Sequence, residues 1–128
     1  PFDKNETLWG GWWFEHSSLK LVHLGDTGYT YDFLTINKEL GSPDFAFIPI
    51  GAYEPRSIMK DSHLNPDEAI QTALDLNATH AIGMHWGTFM LTDEPVQEPP
   101  VLVKNRLKEL DLEGLFTIPI PGKIISLE

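Results

Sequence analysis

Leu21-Val22-His23-Leu24-Gly25-Asp26-Thr27-Gly28-Tyr29 joins an apolar run to a glycine turn. Leu21, Val22 and Leu24 predict a short buried strand, and the two glycines predict a sharp turn that leaves Asp26 at the strand's tip. A carboxylate in that position is a candidate ligand. Residues 81–88, Ala-Ile-Gly-Met-His-Trp-Gly-Thr, repeat the design with an imidazole: an apolar strand ends in His85 and a glycine follows. Strands that alternate with helices form parallel sheets, and in open parallel sheets chemistry collects at the carboxyl ends of the strands. Asp26 and His85 are therefore expected to meet.

The segments around these two stretches fill in the sheet. Thr7-Leu-Trp-Gly-Gly-Trp-Trp-Phe14 is aromatic and β-branched enough for a strand, with Gly10-Gly11 marking a bulge or a close backbone approach. His16-Ser17-Ser18 supplies a turn and residues 19–24 return, which makes a hairpin. Tyr31 to Leu40 reads as a helix with Phe33, Leu34, Ile36 and Leu40 apolar, stopped by Gly41. Asp44 to Ile50 is a further buried strand, and Ala52 to His63 a long loop of the kind that often carries function.

Asn65 is placed as the N-cap of the next helix, with Pro66 at the first position and Glu68 set to answer the cap. Ala69, Ile70, Ala73, Leu74 and Asn77 repeat at three- and four-residue spacing and give that helix one stripe against a sheet. A strand over 79–85 follows, then a helix from about Pro99 to Leu110 with Val103, Leu107 and Leu110 inward. Short strands near Phe116–Ile118 and Lys123–Leu127 close the unit. The expected class is α/β, a mixed sheet with helices on one face, in a single domain over residues 1–128.

Composition narrows the function. The formal charge of −10 disfavours nucleic acid and anionic membrane surfaces, which are drawn to basic faces. With no cysteine, any metal must be held by histidine and carboxylate. Apolar runs fall well short of the roughly 20 residues that span a bilayer, so the expected location is the cytoplasm or the periphery of a membrane. The chain opens on Pro1 rather than Met, as a processed product or a piece of something longer would.

Each candidate residue carries an ordinary reading beside the sharper one. Asp26 suits a turn or a helix N-cap, and equally a carboxylate bridging two divalent ions. His85 suits a packed or hydrogen-bonding role, yet Gly83 and Gly87 leave room beside its ring while Trp86 and Phe89 are placed to wall off water. His63 ends the long loop just before a capped helix, as loop anchor or as substrate contact. His23 reads as structural, and His16 and His80 as turn and surface residues.

Gly25-Asp-Thr-Gly-Tyr29, Ile48-Pro-Ile-Gly-Ala-Tyr-Glu-Pro-Arg56, Met59-Lys60, His63 with Asn65-Pro-Asp-Glu-Ala69, His85-Trp-Gly-Thr-Phe89, Leu91-Thr-Asp-Glu-Pro95 and Glu98-Pro-Pro100 occur in one order. Together with Leu8-Trp-Gly-Gly-Trp12 they resemble the C-terminal half of the metallo-β-lactamase superfamily branch that includes N-acylphosphatidylethanolamine-hydrolysing phospholipase D and its bacterial relatives. The resemblance implies half of an αββα sandwich and a dinuclear site, usually zinc with two Zn2+ per complete site, for which other divalent metals can stand in. It places Asp26 on the bridging aspartate and His85 on the last histidine ligand.

By the same resemblance Thr27, Tyr29 and Gly87 orient those ligands or wall the site, and Tyr53, Arg56 and His63 border the substrate. Arg56 is suited to hold a phosphate bidentately, or to pair with Glu54 or Asp61. The implied chemistry is hydrolysis of a phospholipid phosphodiester, with a lactone of a phosphorylated sugar acid as the alternative. The family's His-x-His-x-Asp-His motif is not among these residues. The chain therefore reads as half an active site, to be completed by an N-terminal half, or as a non-catalytic half-domain that pairs with a second copy.

Overall fold

The structure is a computed structural model and describes residues 10–126. Its elements run β1 (Trp12–His16), β2 (Leu19–His23), α1 (Asp32–Leu40), β3 (Phe45–Pro49), α2 (Arg56–Met59), α3 (Pro66–Asp75), β4 (His80–Met84), α4 (Glu98–Glu109) and β5 (Phe116–Thr117). The five strands form one mixed sheet in chain order. β1 and β2 are an antiparallel hairpin, and every later pairing is parallel. Crossovers of one hand in a sheet ordered this way keep their helices on one face, and α3 packs against both α1 and α4.

The register shows how the two faces differ. Val22, Ala46, Ala81 and Phe116 are partners across β2 to β5 and are all buried. They lie in one core with Ile48 and with Ala69, Ile70 and Ala73 of α3. The alternate rows point the other way: Phe14, Leu21, Phe45 and His80 form one, and Trp12, His23, Phe47 and Ile82 the next. Side chains stack along these rows, His23 on Phe47 and His80 edge-on to Phe45. No helix among the described residues covers this second face, and Trp12, Phe14 and Leu19 on it are 69%, 54% and 44% exposed.

Local chemistry accounts for most boundaries. Asn65 accepts from the Glu68 backbone while the Glu68 carboxylate accepts from the Asn65 backbone, and Pro66 opens α3 behind that capping box. Gly41, at φ 86°, ends α1. Several expectations are corrected. Residues 52–63 are not all loop, since α2 forms within them. Leu110 is exposed rather than inward, since it is the C-cap beyond the last turn of α4, and Leu74 is exposed beside the buried stripe of Ala69, Ile70 and Ala73 on α3.

The last expected strand, 123–127, does not form over 123–126. Pro119 and Pro121 precede it and withhold the backbone donors a ladder needs. Of the first expected strand, Thr7, Leu8 and Trp9 lie outside the described residues, as does Leu127. Among the described residues no helix is long and apolar enough to cross a membrane.

Candidate metal centre

Asp26 and His85 stand at the ends of β2 and β4, which are not neighbours, because β3 runs between them. Two glycines let the flanking loops close over its end. The chain leaves β3 through Ile50, whose N–H donates to Met84, and then through Gly51. A Cβ on Gly51 would lie 2.4 Å from the His85 carbonyl oxygen, so only glycine lets the β4 tip lie this close. His85 itself holds φ at 59°, a left-handed conformation that costs a non-glycine residue free energy and clusters at functional sites.

The Asp26 loop makes a matching approach from the other side. A Cβ on Gly28 would lie 2.6 Å from the carbonyl oxygen of Lys60, so the turn after Asp26 rests directly on the bend that leads to His63. Among the described residues His63 Nδ1 and His85 Nδ1 are both buried with no hydrogen-bond partner. The two rings stack with centroids 5.3 Å apart and planes 20° from parallel. Asp26 Oδ1 lies 3.4 Å from His85 Nε2, with the carboxylate largely exposed. One donor atom from each of Asp26, His63 and His85 falls within 4.8 Å of the other two.

Burial lowers the His63 pKa, and the neighbouring His85 imidazole lowers it further, which keeps a nitrogen lone pair free. Buried imidazole nitrogens seldom go unpartnered. Two of them beside a carboxylate, with no thiolate in the chain, make a nitrogen and oxygen donor set that fits a divalent transition ion such as zinc. Sequence reasoning thus placed Asp26 and His85 together, and the structure adds His63 as a third donor.

The other expected site residues are distributed differently. Gly87, at φ 81°, lines a cavity of about 270 Å³ with His85, Trp86, Phe89 and Met90. Thr27 turns its hydroxyl onto the Gly28 carbonyl. Tyr29 reaches away from the donors to Asp75 of α3, at 2.6 Å, and so ties the Asp26 loop to the helix layer. Tyr53 is corrected: it is 3% exposed and its hydroxyl donates to Glu98, so a substrate cannot reach it.

Arg56 is also corrected. Neither Glu54 nor Asp61 takes its guanidinium. Nη2 donates to both carboxylate oxygens of Glu68 at 2.8 and 2.7 Å, and Nη1 donates to the His63 carbonyl. Glu94 was not foreseen. Its buried carboxylate accepts from the backbone N–H of Ala52, Tyr53 and Glu54, pinning the loop after β3 to the wall of the cavity. One acidic residue among many in a polar segment gives no sign of this in sequence.

Two imidazoles and a carboxylate converge at the carboxyl ends of a half-covered sheet on an α/β scaffold, a donor set suited to a divalent cation. The chain belongs to the β-lactamase superfamily: the family model described as the beta-lactamase superfamily domain matches residues 1–86. It is 44% identical over 84% of its length to N-acyl-phosphatidylethanolamine-hydrolyzing phospholipase D 1 of Caenorhabditis elegans, covering 30% of that protein. It is 39% identical over 89% of its length to the mitochondrial N-acyl-phosphatidylethanolamine-hydrolyzing phospholipase D of Saccharomyces cerevisiae, covering 24% of it. The chain thus spans less than a third of these relatives.

A metallo hydrolase from the archaeon Ignicoccus hospitalis superposes with a TM-score of 0.69 at 22% identity, over 92% of this chain and 45% of that one. That likeness concerns the fold, which is the expected mixed sheet.

Proposed function

We propose that this chain supplies the Asp26, His63 and His85 side of a metal-dependent hydrolase that cleaves a phosphodiester in an N-acylphosphatidylethanolamine-like phospholipid. One observation carries the reading: three donors on separate loops meet within 4.8 Å, and two are imidazoles with a buried unpaired nitrogen. The identities to phospholipases D of this type support the substrate class.

Divalent ions, with zinc the first candidate, supply Lewis acidity and make water nucleophilic near neutral pH. The residues here do the rest. Asp26 brings a negative charge on an exposed tip where it is free to face cations from two sides. His63 and His85 present two stacked imidazoles, each with a buried Nδ1, and Trp86 and Gly87 line one wall of a cavity that opens beside them. Phe89 and Met90, three quarters exposed at the rim of that cavity, offer an apolar surface to the part of a lipid that does not react.

The test is turnover of bis-p-nitrophenyl phosphate against a panel of lactones by the protein in which this chain occurs, with and without chelator. Chelator-sensitive phosphodiesterase activity is expected. Lactone hydrolysis without phosphodiester hydrolysis would replace this substrate by the lactone of a phosphorylated sugar acid, and activity indifferent to chelator would defeat the reading.

The exposed Trp12, Phe14 and Leu19 favour a second element of the proposal. The helix-free face takes the other half of a sandwich, either an N-terminal half or a second copy of this chain. Light scattering on the isolated chain reads the second option directly.

A further inference from the structure

We infer that Arg56 is a positioning residue for His63 rather than a ligand for the substrate's phosphate. The inference rests on the cation-site reading. Among the described residues the His63 ring has no hydrogen bond to hold it: Nδ1 is buried and unpartnered, and the ring stacks on His85. Its place is therefore set from the backbone. The His63 N–H donates to the Met59 carbonyl at 2.8 Å, and the His63 carbonyl accepts from Arg56 Nη1 at 2.9 Å.

Arg56 is itself braced. Glu68 accepts from Nη2 with both carboxylate oxygens, and one of them also accepts from the Asn65 N–H in the capping box. The guanidinium thus links the start of α2, the His63 backbone and the first turn of α3. A planar fork suits this three-way joint, and a lysine ammonium, a point charge on a flexible stem, does not. A substrate phosphate could take the fork only by displacing Glu68, leaving a partly buried carboxylate without its partner.

The two roles give opposite results for Glu68. Were Arg56 a phosphate ligand, Glu68→Gln would free it and leave cation binding alone. As a brace, Glu68→Gln and Arg56→Gln act alike. The chain and its variants are titrated with Co2+, whose visible absorption reports ligand geometry, and the histidine ring resonances of the metal-free proteins are recorded by 15N NMR. Arg56→Gln and Glu68→Gln are expected to weaken Co2+ binding roughly 10- to 100-fold, the usual effect of removing a group that orients a ligand. Arg56→Lys recovers part of this.

In a His63→Ala background Arg56→Gln should cost nothing further. The His63 ring signals should shift or broaden in Arg56→Gln while those of His16 stay in place. Unchanged Co2+ affinity in folded Arg56→Gln, or a loss that persists in full without His63, overturns the inference. A wild-type chain that takes up no Co2+ defeats the cation reading instead, and the ring spectrum then decides the brace: unmoved His63 signals refute it.

Discussion

Asp26 Oδ1 and His85 Nε2 face each other at 3.4 Å across the end of a strand that belongs to neither residue. That separation is long for a hydrogen bond and short for two groups with nothing between them to share. It is the spacing expected of two groups arranged around a common cation, with His63 as the third. Asp26→Ala, His63→Ala and His85→Ala should each weaken zinc binding at least about tenfold, or about 1.4 kcal/mol. Competition with a chromophoric chelator measures it. Wild-type affinity in all three variants would show that the donors converge without binding.

The closing of the two loops over β3 depends on Gly51. Its missing side chain is what admits the His85 carbonyl, so Gly51→Ala forces either His85 or the loop at 52–54 to move. The expected cost is about 1–3 kcal/mol, the range for overpacking a well-packed site. Thermal unfolding should show the loss of stability, and the zinc titration should show a second loss. A variant as stable as the wild type, with zinc affinity intact, would mean that the contact relaxes freely.

Much of this arrangement was legible in the residues because it is local. The capping box at Asn65 and Glu68, the strands ending at His23 and Met84, and the glycine turns after them follow from short-range rules. The convergence of Asp26 and His85 followed from one further rule, that parallel strands present their carboxyl ends together. What stayed hidden depends on distant pairings. Arg56 had acidic neighbours on both sides yet chose Glu68, because α2 turns its side chain toward α3. Tyr53 looked like a substrate contact until the burial of its ring against α4 was visible. Glu94 finds its three backbone partners about forty residues earlier in the chain.

Glu94 also gives the site an acid limit. Burial alone would raise its carboxyl pKa, but the backbone N–H of Glu54, the Thr92 hydroxyl and the N–H groups of Glu94 and Ala52 outweigh burial and hold it below the ordinary 4.5. A folded value below the unfolded one means stability that is present above the unfolded value and lost as pH falls through the folded one. Glu94→Gln should remove that acid-dependent part. It also sets an amide NH2 where Oε2 now accepts from Glu54, at a cost of about 1–3 kcal/mol near neutral pH. Urea unfolding between pH 3 and 7 compares the two slopes, and parallel curves would refute the assignment.

Tyr29 sets the corresponding alkaline limit. The hydrogen bond to Asp75, then burial and the Asp75 charge, push its hydroxyl up to about 12. With the folded value above the unfolded one, the contribution is complete below the unfolded value of about 10 and fades as pH rises through 12. Tyr29→Phe leaves Asp75 with Gln71 as its remaining side-chain partner, at a cost of about 1–3 kcal/mol. Stability measured from pH 8 to 12 should decline more steeply in the wild type than in the variant, and an equal decline would place the alkaline loss elsewhere.

The helix-free face provides the last prediction. Trp12, Phe14 and Leu19 are exposed on the same side of adjoining strands as the half-buried Leu21, Phe45 and Phe47, a contiguous apolar surface of the kind that marks an interaction site when it is large. With a net charge of −10, association in solution works against long-range repulsion, so a pair held by this face should tighten as salt screens that charge. Light scattering across a concentration series at low and moderate salt should show a dimer that strengthens with salt. Phe14→Lys, on an exposed position of β1, should return the chain to monomer without unfolding it, because the substituted side chain contributes nothing to the buried core. If the wild type stays monomeric throughout, the face is not one that a second copy covers, and the N-terminal half becomes its proposed partner.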